Sequence, residues 1–267
     1  MTTPKFSNVQ QSFHAELKKR INDYFSNTGK SSTGNFQLFF KAIFLMTSCI
    51  AVYTHLIFFT PGIWFQIGES ILLGGLVAAI GFNVMHDGAH GSFSKYKWVN
   101  TIAAFSLNIL GGNSFMWNVK HNVIHHAYTN IDGIADDIDI KPWMRMTMTQ
   151  KKYKLHKYQH IYFWLLYSLI YLLWIFVLDY QKYFKGRVSL MKIKKMSFGE
   201  HFSFWFFKVL NIFLFIGLPI YMVGFSSWLL WFLIFTLVAG LIISIVFQLA
   251  HTVEHTAFPV PIEATNK

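Results

Sequence analysis

Two long stretches of this chain contain no lysine or arginine, and they constrain its fold more than any other feature. They run from Ala42 to Ser94 and from Val209 to Asn266. The chain of 267 residues is 54% hydrophobic and only 13% charged, whereas soluble domains usually carry about 25% charged residues. We therefore predict an all-α membrane protein that crosses the bilayer several times.

Four apolar stretches are long enough to be transmembrane helices, since a bilayer core of about 30 Å takes roughly 20 residues of α-helix. We expect them at Phe39–Phe59, Ile63–Met85, Phe204–Met222 and Trp228–Leu249. The short turns inside these two pairs carry no positive charge, whereas lysines and arginines are concentrated before and between the pairs. Because cytoplasmic loops are enriched in lysine and arginine, we expect the N-terminus on the cytoplasmic side.

Two further apolar stretches, Thr101–Met116 and Ile161–Leu178, need a different interpretation. The second is long enough to suggest a fifth span, but lysines are concentrated on both sides of it. Both of its ends should then stay in the cytoplasm, so we predict an interfacial or re-entrant helix. The expected fold is four transmembrane helices with cytoplasmic interfacial helices.

Residues 1–36 precede the first span and lack the apolar run of a secretory signal. Apolar side chains recur in them at spacings of three and four residues, which indicates an amphipathic helix on the membrane surface. These are Phe6, Val9, Phe13, Leu17, Ile21 and Tyr24. We therefore divide the chain into a cytoplasmic leader, residues 1–36, and a membrane domain, residues 37–267.

Seven of the twelve histidines fall into three tight groups, which we call the histidine boxes. They are His86 and His90 in HDGAH, His121, His125 and His126 in HNVIHH, and His251 and His255 in HTVEH. Histidines four residues apart lie on one face of an α-helix and can present two nitrogens to one centre. With four spans, all three boxes lie on the cytoplasmic side, whereas a fifth span would separate HTVEH from the others.

This number of clustered imidazoles indicates a site for two metal ions. Neutral imidazole binds zinc, copper, nickel and iron, and a structural zinc needs only four ligands. Seven nitrogens exceed the needs of one ion, and the only cysteine, Cys49, excludes a thiolate-rich site. Four aspartates lie near the boxes, and we expect them to orient ligand imidazoles. They are Asp87, Asp136, Asp137 and Asp139.

Other interpretations of the histidines stay open. The segment HKYQH, with His156 and His160, imitates the first box, but neighbouring lysines favour a solvated or headgroup-facing role. HTVEH fits the H-x-x-E-H pattern of inverted zinc proteases, with Glu254 as general base, yet the other five histidines would then have no role. A non-enzymatic membrane protein that binds haem or transports metal is a further alternative, which a Soret band without non-haem iron would favour.

The ordered set of boxes resembles that of the membrane fatty acid desaturases. The segments NVMHDGAHGSFS, WNVKHNVIHHAYTNIDGIADDIDI and FQLAHTVEHTAFP are most similar to desaturases of the linoleoyl-CoA or front-end type. The resemblance implies two non-haem iron ions, bound by the histidines of the three boxes. Some members carry an asparagine at the position of His251.

The resemblance also implies a reaction. It is the oxygen-dependent desaturation of a long-chain fatty acyl group, carried by coenzyme A or by a lipid. Electrons would come from a ferredoxin or a small cytochrome that docks on the basic cytoplasmic surface. Hydroxylation or ketolation in the same superfamily is the alternative chemistry. No motif indicates nucleic acid binding.

The C-terminal region departs from the family pattern. Members continue to a final box, Q- or H-x-x-H-H, whereas no histidine follows His255 here and the sequence ends in PVPIEATNK. Seven ligands leave each of two irons with three or four. We therefore expect a fragment or a natural truncation that folds its spans but holds iron weakly and turns over poorly.

Overall fold

The computed structural model describes residues 11–59, 62–188 and 191–260, and the regular secondary structure of these residues is helical apart from one short hairpin. Its main helices are α1 (Gln11–Thr28), α2 (Phe36–Phe58), α3 (Ile63–Ala89), α4 (Lys97–Ile109), α5 (residues 114–128), α6 (Lys154–Lys185), α7 (Phe198–Val223) and α8 (Phe225–His251). A single 3-10 turn at Asp136–Ile138 follows α5. Strands β1 (Arg187–Val188) and β2 (Met191–Lys192) pair antiparallel between α6 and α7. The prediction of an all-α membrane protein is confirmed.

Each predicted span is a helix that extends beyond at least one of its expected ends, although α2 stops one residue early, at Phe58, and α3 begins at Ile63 as expected. The largest difference is at α7, which begins at Phe198 instead of Phe204. Its start is fixed by a capping box, in which the side chain of Ser197 accepts from the Glu200 N–H and the Glu200 carboxylate accepts from the Ser197 N–H. The hydrophobic run alone does not show this cap, so the prediction placed the start six residues too late.

Five helices of the described chain are long and apolar enough to cross a membrane, judged by length and composition. They are α2, α3, α6, α7 and α8. The sequence predicted four spans, and α6 is the additional candidate, because its helix of 32 residues contains an apolar window of 18 residues with a mean hydropathy of 2.2. Its middle packs against α8, where Ser244 Oγ donates to the Tyr167 carbonyl at 3.1 Å.

Helix α8 lies between α3 and α6 and forms the centre of the bundle. Close approach on both sides is possible because glycines stand at the contacts. A Cβ atom on Gly74 of α3 would lie 2.6 Å from the Phe235 carbonyl, and one on Gly240 of α8 would overlap the Ser168 carbonyl. Small residues allow such packing between membrane helices. These contacts fix the middle of α8 between α3 and α6.

A buried ion pair joins α6 and α7 to the loop before α5. The Lys208 ammonium donates to Asp179 Oδ2 at 3.1 Å, to the Ile175 carbonyl at 3.0 Å and to the Gly111 carbonyl at 2.6 Å. Both charged side chains are nearly inaccessible to solvent. A buried charge needs such partners, so this network fixes the point from which α5 leaves. The sequence showed Lys208 inside a span but not its partner.

The predicted leader contains α1, and its apolar stripe is exposed. Phe13, Leu17, Ile21 and Tyr24 are all open to solvent in the chain alone. Phe6 and Val9, the first two members of the predicted stripe, lie outside the described residues. Attachment of this helix to a membrane surface, and the boundary of the leader, stay predictions.

The close contact between α3 and α8 yields a stability prediction with an adjacent control. We expect Gly74→Ala to destabilise the protein by about 1–3 kcal/mol, because the added methyl group meets a backbone carbonyl that cannot move away alone. Gly75→Ala should leave stability unchanged or raise it slightly, because nothing lies within 4 Å of a Cβ there and alanine favours helix. Thermal unfolding of both variants in detergent measures the difference. Equal melting temperatures would contradict this packing.

Candidate metal centre

Histidines from all three boxes meet at one place. The first lies at the end of α3, the second lies on α5, and His251 is the last residue of α8. One potential ligand nitrogen from each of His86, His90 and His121 lies within 4.8 Å of the other two. The ring of His125 is 4.4 Å from that of His251, and His121 and His125 stack at 5.0 Å. Six imidazoles therefore form one continuous cluster.

The second box depends on a π-helical turn, Val119–His125, inside α5. In an α-helix, a residue five positions after His121 would lie about 140° around the axis. A π-turn bonds each N–H to the carbonyl five residues earlier, which brings both His125 and His126 towards the side of His121. Their rings lie 5.0 and 4.9 Å from that of His121. All three histidines of HNVIHH can therefore face one centre.

Two pairs of ring nitrogens lie close together across elements. His125 Nε2 is 3.1 Å from His251 Nε2, and His126 Nε2 is 3.4 Å from His90 Nε2. An imidazole nitrogen binds a zinc-sized ion at about 2.1 Å, so two nitrogens at right angles on one ion are about 3.0 Å apart. The observed separations fit two ligands of a common metal ion in each case.

Asp137 orients His125. Its Oδ2 lies 2.6 Å from His125 Nδ1, and its Oδ1 lies 2.9 Å from the Lys120 ammonium. Burial by itself raises the pKa of the Asp137 carboxyl, but Lys120 and the hydrogen bond from His125 outweigh it and hold the pKa well below its usual range. The carboxylate is then a pure acceptor, so Nδ1 of His125 carries the proton. Its Nε2 lone pair is left for a metal, an arrangement common among metal-binding histidines.

His121 supplies the test of whether the cluster fits a metal ion. Its Nε2 is buried and has no hydrogen-bond partner in the described chain, and a buried polar atom without a partner is costly. Burial, followed by the neighbouring His125 and His86, lowers the pKa of His121 to about 3. Burial also lowers the pKa values of His90 and His126. Unprotonated nitrogens that face each other in this way are a donor set for a metal.

Two aromatic side chains that the sequence analysis did not select enclose the cluster. Trp117 stacks on His121 at 4.3 Å, and Phe247 contacts the rings of both His125 and His251. Trp117 precedes His121 by four residues and Phe247 precedes His251 by four, so one helical turn separates each pair. That spacing could have indicated the role, but the many aromatic residues of a membrane protein conceal it.

His255 is not brought into the cluster. Helix α8 ends at His251, so the expectation that HTVEH lies on one helical face is wrong. The side chain of His255 is 91% exposed and contacts Glu254, itself 89% exposed. This geometry gives no support to a zinc protease site around Glu254, which needs both histidines on one helix. The assignment of His255 as a ligand stays a prediction.

The remaining predicted residues lie at different distances from the cluster. Asp87 Oδ1 is 3.7 Å from His86 Nδ1, which is longer than a hydrogen bond, whereas exposed Asp139 pairs with Lys141 at 3.3 Å. The side chain of Asp136 lies outside what the structure describes. His156 bridges a loop, because its Nδ1 accepts from the Tyr153 N–H and its Nε2 donates to the Pro142 carbonyl.

Comparison with known proteins identifies the family. A family model described as fatty acid desaturase matches residues 61–266, which include all three boxes. The chain belongs to the fatty acid desaturase family. It is 31% identical to an acyl-lipid (8-3)-desaturase of Physcomitrium patens over 94% of its length, and 31% identical to an sn-1 linoleoyl-lipid 6-desaturase of Arthrospira platensis over 92%. The family resemblance predicted from the boxes is confirmed.

These relatives are longer than the chain. It spans 53% of the Physcomitrium desaturase and 67% of the Arthrospira desaturase. A probable Delta(5) desaturase of Dictyostelium discoideum is 29% identical, and the chain spans 56% of it. No solved structure matches the chain.

The histidine cluster yields a prediction for Asp137. Replacement by asparagine removes the charge that fixes the His125 tautomer, and we expect Asp137→Asn to lower the affinity for added Fe²⁺ by about 10–100-fold. Asp139→Asn is the matched control, because Asp139 is exposed and pairs with Lys141 at the surface. Titration of the purified chain with Fe²⁺ measures both. Equal affinities in the two variants would refute the orienting role of Asp137.

Proposed function

We propose that this chain desaturates a long-chain fatty acyl group at a centre of two iron ions held by its histidine boxes. The observation that carries the proposal is the convergence of six imidazoles from α3, α5 and α8, with a buried and unpartnered nitrogen on His121. Bound iron would supply the oxidative chemistry that removes one hydrogen from each of two adjacent carbons of an unactivated chain, with O₂ as the oxidant.

The proposed ligands are the histidines of all three boxes. They are His86, His90, His121, His125, His126, His251 and His255. Asp137 holds the proton of His125 on Nδ1, while Trp117 and Phe247 keep water away from the buried side of the cluster. The relatives named above are acyl-lipid and linoleoyl-lipid desaturases, which supports a lipid as the carrier of the acyl group.

The proposal predicts different effects for two histidines. We expect His125→Ala to lower double-bond formation by orders of magnitude and to release iron, because His125 is buried and a lost ligand cannot be replaced in a rigid site. His14→Ala should change neither, because His14 is exposed on α1. Mass spectrometry of extracted lipids and a non-haem iron assay measure these effects. Similar losses in both variants would overturn the assignment.

We infer further that four helices cross the membrane and that α6 is re-entrant. His251 lies 3.1 Å from His125, so an even number of crossings separates them. Near the start of α6, Gln159 accepts from the Arg145 N–H in the loop that carries Asp137. Near its end, Tyr183 contacts His201 at 2.8 Å.

The first turn of α7 lies beside the centre. Ser197, Glu200 and Ser203 line a groove of about 680 Å³ together with His90. Both ends of α6 therefore lie on the side of the boxes, which supports α2, α3, α7 and α8 as the spans. The lysines around α6 favour the cytoplasm as that side.

Cysteine labelling tests this topology. In a Cys49→Ser background, Lys152→Cys and Lys185→Cys should both react with an impermeant maleimide only after cells are permeabilised, because both ends of α6 face the cytoplasm. Ser226→Cys, in the exposed first turn of α8, should react in intact cells. Reaction of the two lysine positions from opposite sides would show that α6 crosses the membrane.

We also infer that an external carrier, a ferredoxin or a small cytochrome, delivers electrons to the same side. Basic side chains around α6 and the β1–β2 hairpin are exposed. They include Lys151, Lys152, Lys154, Lys157, Lys185, Lys192, Lys194 and Lys195. A surface of one sign accelerates docking of an oppositely charged partner, so an acidic carrier fits best.

A further inference from the structure

A cleft of about 490 Å³ lies at the start of α6, apart from the histidine centre. Its exposed edge, which we call the mouth, carries Lys152 and His160, whereas Phe163 and Tyr167, whose rings contact each other at 5.3 Å, are partly buried. The full lining is Met144, Arg145, Met146, Lys152, His156, Gln159, His160, Phe163 and Tyr167. Neither aspartate nor glutamate is among these described residues.

The charge of the mouth is fixed in place. The Arg145 guanidinium is fixed by two backbone carbonyls of its own loop. Its Nε donates to the Gln150 carbonyl at 2.8 Å, and its Nη2 donates to the Met148 carbonyl. Gln159 fixes the backbone of the same residue, accepting from its N–H at 2.8 Å. Lys152 and His160 are exposed beside it. The mouth therefore presents cations and donors, which bind an anionic group such as a phosphate ester.

The cleft runs from this mouth towards the buried part of the bundle. His160, Phe163 and Tyr167 follow one another along one side of α6, so the lining changes from polar to aromatic with depth. The Tyr167 carbonyl accepts from Ser244 of α8. Ser244 precedes His251 by seven residues, which is about 10 Å along the helix. The apolar end of the cleft therefore lies beside α8, about two helical turns along that helix from His251.

The groove beside His90 differs in charge. Its lining includes both Lys97 and Glu200, so it does not favour ligands of one charge over those of the other. The cleft at α6 has cations at a polar mouth and aromatic rings inside, which match the two ends of a lipid with an anionic headgroup. A lysine or arginine near a membrane surface strengthens attraction to anionic lipid by about fivefold.

We propose that this cleft binds the anionic phosphate headgroup of the lipid that carries the acyl chain, with the chain directed along Phe163 and Tyr167. The proposal rests on the proposed desaturase function and adds a preference for an anionic phospholipid over a neutral glycolipid. Free phosphate shares the headgroup chemistry but lacks the apolar part that the aromatic end would contact.

Binding to the detergent-solubilised chain, without iron or turnover, tests the cleft. The probes are dioctanoyl phosphatidylglycerol, a dioctanoyl galactolipid and inorganic phosphate, measured by microscale thermophoresis. We expect the phosphatidylglycerol to bind at least fivefold more tightly than either of the others, with selectivity that falls as salt is added. Equal binding of the two lipids would overturn the proposal, and so would inorganic phosphate binding as tightly as the phospholipid.

Two neighbouring lysines give a matched pair. Lys152→Gln should weaken phosphatidylglycerol binding by about fivefold, whereas Lys151→Gln should not, because Lys151 lies over the Tyr153 ring outside the cleft. Equal effects of the two changes would contradict the site. Selective binding in a chain that forms no double bond would support the cleft and contradict the desaturase function. Desaturation together with unselective lipid binding would support the desaturase function and contradict the cleft.

Discussion

A metal centre built from imidazoles requires that nitrogen lone pairs stay free while the rings are packed together. In water, histidines so close would exchange protons with solvent and hydrogen-bond to it. Here burial lowers the pKa of His121 to about 3, and Asp137 fixes the proton of His125 on the nitrogen that points away from His251. The rest of the fold keeps the rings packed together while these nitrogen lone pairs stay free.

The bundle meets the requirement by bringing helix ends together. Helix α3 ends in the first box and α8 ends at His251, while glycine contacts hold α8 close to α3 and α6. Helix α5 starts from a loop anchored by the buried Lys208–Asp179 pair. Loss of the glycine contacts or of the Lys208–Asp179 pair would move one box relative to the others. The ligand atoms from the three helices would then no longer converge on one point.

Much of this arrangement could be predicted from sequence, because apolar length and histidine spacing are local properties. The four predicted spans, the three boxes and their common side all depend on them. The partner of Lys208 could not be predicted, because Asp179 lies on another helix and meets it only in the folded bundle. The π-turn in α5 could not be predicted either, because ordinary helical periodicity does not place His121 and His126 on one face. The end of α8 at His251, which leaves His255 outside the cluster, likewise has no signal in HTVEH itself.

The most direct test of the account is X-ray absorption at the iron edge on the purified chain loaded with Fe²⁺. If the six clustered imidazoles hold the metal, the spectrum will show a first shell of nitrogen and oxygen with the outer-shell scattering of several imidazole rings. The pattern should disappear in His121→Ala, whose nitrogen is buried in the cluster. A spectrum without imidazole scattering, or one unchanged by that substitution, would contradict a metal centre at the histidine boxes.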